Sequence, residues 1–186
     1  MIKISKGDLF KHQNKCVIPH CCNNVGCFGA GFVASLNKVS DLPRKNYMKW
    51  YEDGLTKSAA GREIPFELGE VQYSSLFPAD ASKIIANIIG QDNVGFDERN
   101  GRFPVRYWAI RKGLENVRQT FLDNVGILSE HDIVSPLIGC NLAGGYLDEI
   151  YYIIKDVFGN FHRDFYLYAF SDEDFEKLSA VAELFA

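Results

Sequence analysis

The stretch His20-Cys-Cys-Asn-Asn-Val-Gly-Cys-Phe-Gly-Ala-Gly-Phe32 decides the reading of this chain. It follows an apolar run of strand length, Cys16 to His20, and leads into a helical pattern, so Gly26, Gly29 and Gly31 fall in a strand-to-helix connection. Glycine permits positive φ and close backbone approach. A helix beginning near Gly29 would aim its unpaired N–H groups and the positive end of its dipole at whatever the loop encloses. The order G-x-x-G-x-G departs from the G-x-G-x-x-G spacing of the dinucleotide fingerprint, which disfavours a nicotinamide-dependent oxidoreductase. The stretch reads as a cradle for a phosphate-like anion, although a glycine-rich connection also occurs as a plain tight turn.

A second glycine-bearing strand exit, Ser135-Pro-Leu-Ile-Gly-Cys-Asn-Leu-Ala-Gly-Gly145, supplies a partner for the first loop. In open α/β sheets ligands sit outside the carboxyl ends of the strands, so the two loops converge on one ligand if the Cys16 and Ile133 strands run parallel. A diphosphate between two glycine loops is the expectation.

The rest of the chain sets the frame. With 186 residues, 47% of them hydrophobic, it is long and apolar enough for one domain, residues 1–186, with a substantial core. The net charge of −4 and the lack of a basic run exclude general nucleic-acid binding by phosphate neutralisation. No apolar run has signal-peptide or membrane-spanning length, so a soluble, cytoplasmic protein without a membrane partner is expected. Five cysteines, three of them inside the first loop (Cys21, Cys22 and Cys27), suit free thiols in a reducing compartment. Cys16, Cys21, Cys22 and Cys27 lack paired C-x-x-C spacing and His12 and His20 do not repair it, so no metal site is expected.

Strand-length runs alternate with helical stripes, which implies α/β layering. Strands are predicted at Ile2 to Ser5, Cys16 to His20, Glu70 to Leu76, Ile84 to Ile89, Ile133 to Leu137 and Phe165 to Phe170. Helices are predicted from Gly29 to about Leu36 and from about Pro43 to Tyr51. Others carry the stripes Ile110, Leu114, Val117, Phe121 and Leu147, Ile150, Tyr151, Ile154, Phe158, and a last one carries Phe175, Leu178, Ala182, Phe185. Gly90 to Pro104 has neither periodicity and many turn formers; it is a candidate rim or a plain surface excursion.

Five motifs in order give the chain, over nearly its whole length, a resemblance to the macrodomains that bind ADP-ribose. They are Lys6-Gly-Asp-Leu-Phe10, His20 to Phe32, Leu68-Gly-Glu-Val71, Pro136-Leu-Ile-Gly-Cys140 with Leu142 to Gly145, and the last strand ending at Phe170. The His-Cys pair before the glycine loop resembles the branch that includes the terminal ADP-ribose protein glycohydrolase and the ADP-ribose 1''-phosphate phosphatases. The resemblance implies a three-layer α/β/α fold around a mixed sheet of about six strands, and no cofactor. It implies ADP-ribose or an ADP-ribosyl derivative as partner, with an ADP-ribosylated protein or nucleic acid as candidate substrate.

Carried over residue by residue, Asp8 would accept from the adenine amine with Leu9 beside it, and Phe170 would stack on the base. Asn23 would bind ribose hydroxyls, and Gly29, Ala30, Gly31 and Phe32 would wrap the diphosphate and distal sugar. Gly139, Cys140, Asn141, Leu142, Ala143, Gly144 and Gly145 would add backbone amides. From the residues themselves, Asp8 in Gly-Asp also reads as a turn cap, and Phe170 as a core residue.

The chain departs from the deacylating branch, which uses a Lys and a loop-two acid. The loop-two position reads Ala143, Ile88 to Gly95 holds no Lys, and Lys83 at the strand start should project elsewhere. His20 and Asp92 remain as a pair resembling the His and Asp of the phosphatase branch. They are the candidate acid and base of a hydrolase acting on the distal ribose; the alternative is a non-catalytic reader, with His20 a structural residue and Asp92 a turn cap.

Overall fold

The computed structural model describes residues 1–185. The strands are β1 (Ile2–Lys6), β2 (Cys16–Asn23), β3 (Leu55–Lys57), β4 (Glu63–Pro65), β5 (Val71–Phe77), β6 (Asp80–Gln91), β7 (Asp132–Ser135) and β8 (Phe165–Ala169). The helices are α1 (Phe32–Val39), α2 (Leu42–Asp53), α3 (Tyr107–Asp123), α4 (Val125–Leu128), α5 (Leu147–Phe158) and α6 (Asp172–Leu184). Six strands form one mixed sheet in the order β1-β8-β7-β2-β6-β5, and β3 with β4 makes a separate antiparallel hairpin.

Alternation along the central strands decides which layer packs where. On β2, Cys16, Ile18 and Cys22 face one side with Ile85 and Ile89 of β6, and there they meet Val33 and Leu36 of α1 and Tyr47 and Trp50 of α2. Val17, Ala86, Ile88 and Ile133 face the other side, against Ile110, Leu114, Val117 and Phe121 of α3 and Ile150, Ile154 and Phe158 of α5. Both faces of the sheet are therefore covered, as an apolar run like that of β2 requires. The expected α3 stripe is buried; on α5 Ile150, Tyr151, Ile154 and Phe158 are buried with Ile153 and Val157, while Leu147 is half-buried.

All six predicted strands exist, and β2 and β7 run parallel as expected. The differences have local causes. The first helix begins at Phe32, because Gly31 at φ +66° holds left-handed backbone that a helix cannot include. The seventh strand stops at Ser135, before Pro136, which has no N–H for the ladder. The β3–β4 hairpin and α4 were not expected; three-residue strands and a four-residue helix leave no periodicity to read. No helix among the described residues is long and apolar enough to cross a membrane.

β1, β8, β7, β2 and β6 are mutually parallel, and only β5 is antiparallel. Their five carboxyl ends thus open on one edge of the sheet, the edge where an α/β ligand site is built. Helix α3 sits very close to the sheet: a Cβ placed on Gly113 would lie 2.3 Å from Cγ2 of the fully buried Ile88. Alanine is the better helix former by about 1 kcal/mol, whereas overpacking a rigid core costs about 1–3 kcal/mol. Gly113→Ala should therefore lower unfolding free energy by about 1 kcal/mol net, read in a denaturant titration. A midpoint at or above that of the parent would mean that α3 is free to lift from the sheet.

Candidate functional site

A cavity of about 770 Å³ opens at the carboxyl edge, and every parallel strand contributes to its wall. Gly7 to Phe10 come from the exit of β1, the segment around Asn23 to Val33 from that of β2, Gln91, Val94 and Gly95 from that of β6, Pro136 to Ala143 from that of β7, and Phe170 from that of β8.

The first glycine loop is shaped by one side chain. Asn23 Oδ1 accepts from the amides of Val25 (3.1 Å) and Cys27 (3.0 Å), and Nδ2 donates to the Cys27 carbonyl at 2.6 Å. The hydroxyl of Tyr47, fully buried on α2, donates to the Asn23 carbonyl at 2.8 Å and approaches Oδ1 at 3.1 Å. With the curve held this way, the amides of Gly29, Ala30, Gly31 and Phe32 meet no acceptor among the described residues, and no side chain caps α1. They are donors pointing out of a helix start, the arrangement that receives an anion.

The second loop closes on itself. Gly144 donates to the Asn141 carbonyl (2.8 Å) and Gly145 to that of Gly139 (2.9 Å), which leaves the amides of Gly139, Cys140 and Leu142 without acceptors. Leu142, 66% exposed, leans across the mouth until its Cδ1 lies 3.5 Å from where a Cβ on Gly31 would be, so the two loops face each other over the cavity.

The segment after β6 braces both loops. Asp92 accepts from Arg106 Nη2 (2.9 Å) and Asn24 Nδ2 (3.2 Å), with Arg102 at 3.6 Å, and the Arg106 guanidinium holds its carboxyl below the usual range. Asn24 in turn accepts from the amide of Asn93 at 2.7 Å. The Phe103 ring covers Gly144 so closely that a Cβ there would overlap it, and the Val105 amide donates to the Ala143 carbonyl at 3.1 Å. The unpatterned stretch is thus a clamp as well as a rim.

The charge balance of the wall is unusual for an anion site. Among the described residues Asp8 and Asp174 are its acidic side chains, and neither Lys nor Arg lines it. His20 is buried among Phe28, Phe32 and Cys22, and burial pushes its pKa down to about 4, so it is neutral. All five cysteines are free; burial raises Cys21 and Cys140 to about 12, so neither is a ready thiolate. Any phosphate here must be held by peptide N–H groups.

Neither protein-family models nor curated proteins yield a match to this chain. Solved structures do. A protein of unknown function from Bacteroides thetaiotaomicron is 30% identical over 90% of this chain and 97% of that one, with a TM-score of 0.75. A macrodomain protein from Streptomyces coelicolor is 25% identical over 92% of this chain and 100% of that one, with a TM-score of 0.69. The chain has the macrodomain fold. A mutant macrodomain of Oceanobacillus iheyensis, solved with ADPR, is 19% identical over 98% of this chain and 91% of that one, with a TM-score of 0.64.

In this chain the cavity wall includes Asp8, Leu9, His20, Asn23, Gly29, Ala30, Gly31, Phe32, Gly139, Cys140, Asn141, Leu142, Ala143 and Phe170 from the expected set. Gly144 and Gly145 lie outside the wall, because their amides are spent within the loop and Phe103 covers the first of them. Asp8 is a cap, its Oδ1 accepting from the Phe10 amide at 3.0 Å, and its exposed carboxylate also lines the cavity. Phe170 is 81% exposed, so it is a platform and not a core residue.

His20 and Asp92 are not brought together. His20 bonds to Asn87, whereas Asp92 is taken by Arg106 and Asn24 and is absent from the cavity wall. Lys83 donates to the His12 carbonyl at 2.7 Å, away from the site. Tyr47, Arg106, Phe103 and Asn87 went unread, since each acts across a long sequence separation and no local spacing marks it.

Tyr47→Phe removes a buried donor from the Asn23 carbonyl, while Oδ1 keeps the amides of Val25 and Cys27. A loss of about 1–2 kcal/mol in unfolding free energy is expected, together with weaker ligand binding. Parent-like values for both in thermal and calorimetric titrations would show that loop one holds its curve without the hydroxyl.

Proposed function

We propose that this macrodomain binds ADP-ribose, free or as the ADP-ribosyl group of a larger molecule, and that it is a reader. The observation that carries this reading is the pair of glycine loops whose unpaired amides face each other across one cavity that ends at an exposed Phe170. The adenine lies against Phe170 and Leu9 with its amine on Asp8. The diphosphate takes the amides of Gly29 to Phe32 and of Gly139, Cys140 and Leu142, and the distal ribose reaches the Asn23 and Gln91 end. Asn23 has one Nδ2 hydrogen left for a sugar hydroxyl, since the other serves Cys27. The ADPR held by the Oceanobacillus iheyensis relative is of the same chemical class.

A reader is favoured over a hydrolase because the candidate pair is not assembled: Asp92 is held by arginine and absent from the wall, and burial lowers the His20 pKa to about 4, which makes it a weak base. A general base must reach the proton that it takes, and the wall offers no lysine to substitute. Incubation with ADP-ribose 1''-phosphate and with ADP-ribosylated protein and DNA should release nothing. Turnover that disappears in both His20→Ala and Asp92→Asn would replace the reader with the hydrolase.

Two binding measurements probe the ligand pose. Phe170→Ala should weaken ADP-ribose by roughly 10-fold, corresponding to about 1–3 kcal/mol of base stacking. Because no cation lines the wall, affinity should change little between low and physiological salt, unlike a site built on Lys and Arg. A steep salt dependence, or full affinity without Phe170, would contradict the pose.

A further inference from the structure

A row of polar side chains crosses the otherwise apolar α1/α2 face of the sheet. Register places His20 of β2 opposite Asn87 of β6, and Asn87 opposite Gln72 of β5. All three are buried, at 1%, 0% and 6% exposure. They are joined end to end. Gln72 Nε2 donates to the Asn46 backbone carbonyl on α2 (2.9 Å), Asn87 Nδ2 donates to Gln72 Oε1 (3.1 Å), and His20 Nε2 lies 2.6 Å from Asn87 Oδ1.

Amide orientations and histidine tautomers are ordinarily ambiguous, but this row has a fixed end. A backbone carbonyl only accepts, so Gln72 must present its nitrogen to Asn46 and its oxygen to Asn87. Asn87 must then present its nitrogen to Gln72 and its oxygen to His20. An unprotonated Nε2 would set two lone pairs against each other at 2.6 Å, so the proton is on Nε2 and the lone pair on Nδ1. Near Nδ1 lies the Cys22 sulfur, at 3.8 Å and also 3.9 Å from Nε2, and the Cys21 backbone adjoins the ring. The other groups packed on the ring are Phe28 and Phe32, and neither adds a charge.

We propose that Asn87 and Gln72 are positioning residues that hold His20 as a neutral Nε2–H imidazole, so that Nδ1 serves the cavity as a hydrogen-bond acceptor for a sugar hydroxyl. This deepens the ADP-ribose reading and rests on it. The ring edge that carries Nε2 is turned to Asn87, so what His20 can offer the cavity is Nδ1 and carbon. An acceptor welcomes a hydroxyl and repels a phosphate oxygen, and the row therefore selects a free sugar over a phosphorylated one at that point. Burying three polar side chains is costly unless each is paired, and here the pairing dictates a single proton arrangement.

The test is ¹⁵N NMR of the imidazole in the full-length protein, alongside ADP-ribose titration. In the parent, His20 should show the Nε2–H tautomer from mildly acid to mildly alkaline pH, with no titration at the ordinary histidine value. Asn87→Asp sets a carboxylate on Nε2; an opposite charge favours the protonated ring, so the midpoint should rise. Below that new midpoint Nδ1 becomes a donor, and ADP-ribose affinity should fall about 10-fold, returning above it, while the parent stays flat. Gln72→Met, which does not touch His20, should release Asn87 and mix the tautomers; a merely structural role would leave them unmoved. An Nδ1–H tautomer in the parent, ordinary titration, or unmixed tautomers in Gln72→Met overturns the row while ADP-ribose binding stands. A parent with the Nε2–H tautomer and no ADP-ribose binding overturns the sugar-hydroxyl role and the ligand reading, and leaves the proton arrangement.

Discussion

Four contacts converge on the carboxamide of Asn23: two amides ahead of it in the chain, the carbonyl of Cys27, and the hydroxyl of Tyr47 from the helix above. The loop after β2 is curled by a side chain, which spares the backbone groups beyond it. Had the curve been closed by backbone bonds, the amides of Gly29 to Phe32 would have been consumed. Because it is not, a run of donors stays free at the start of α1, among the described residues, to receive an anion. The second loop reaches the same result by different means, folding its own tail back onto Gly139 so that the amides at its front remain open.

A site made of peptide dipoles suits an acidic protein. Side-chain cations would pair with Asp8 or Asp174 at the same wall, or with the other carboxylates of a chain of net charge −4. Oriented N–H groups cannot be neutralised that way, and they act only on what comes into contact with them. The arginines that do lie nearby, Arg102 and Arg106, are spent on Asp92 and hold the clamp loop. Their charge serves architecture at one remove from the ligand.

How far the chain could be read from residues alone follows from the range of each signal. Apolar runs such as Cys16 to His20 and stripes such as Ile110, Leu114, Val117, Phe121 are local, and they located the sheet and the helices over it. The glycine loops are local too, and most of their residues do line the cavity. Gly144 and Gly145 stand outside the cavity wall because the Phe103 ring and the Gly139 carbonyl take their places, a turn geometry that composition does not encode. Asp92 looked free beside Gln91 and Asn93, but its partner Arg106 lies fourteen residues on. Asn87 is 67 residues from His20, and only strand register makes them neighbours.

Asn46 and Tyr47 are consecutive on α2, and one anchors the row that ends at His20 while the other anchors the loop bent by Asn23. A single helix turn therefore serves as the datum for both the first glycine loop and the polar row. The same helix is seated by Trp50, fully sunk in the core with its indole N–H on the Ile64 carbonyl at 3.0 Å. Any tilt of that rod would displace both anchors together and in proportion, so the calibre of this part of the cavity is inherited from how firmly one tryptophan is wedged, well behind the cavity wall.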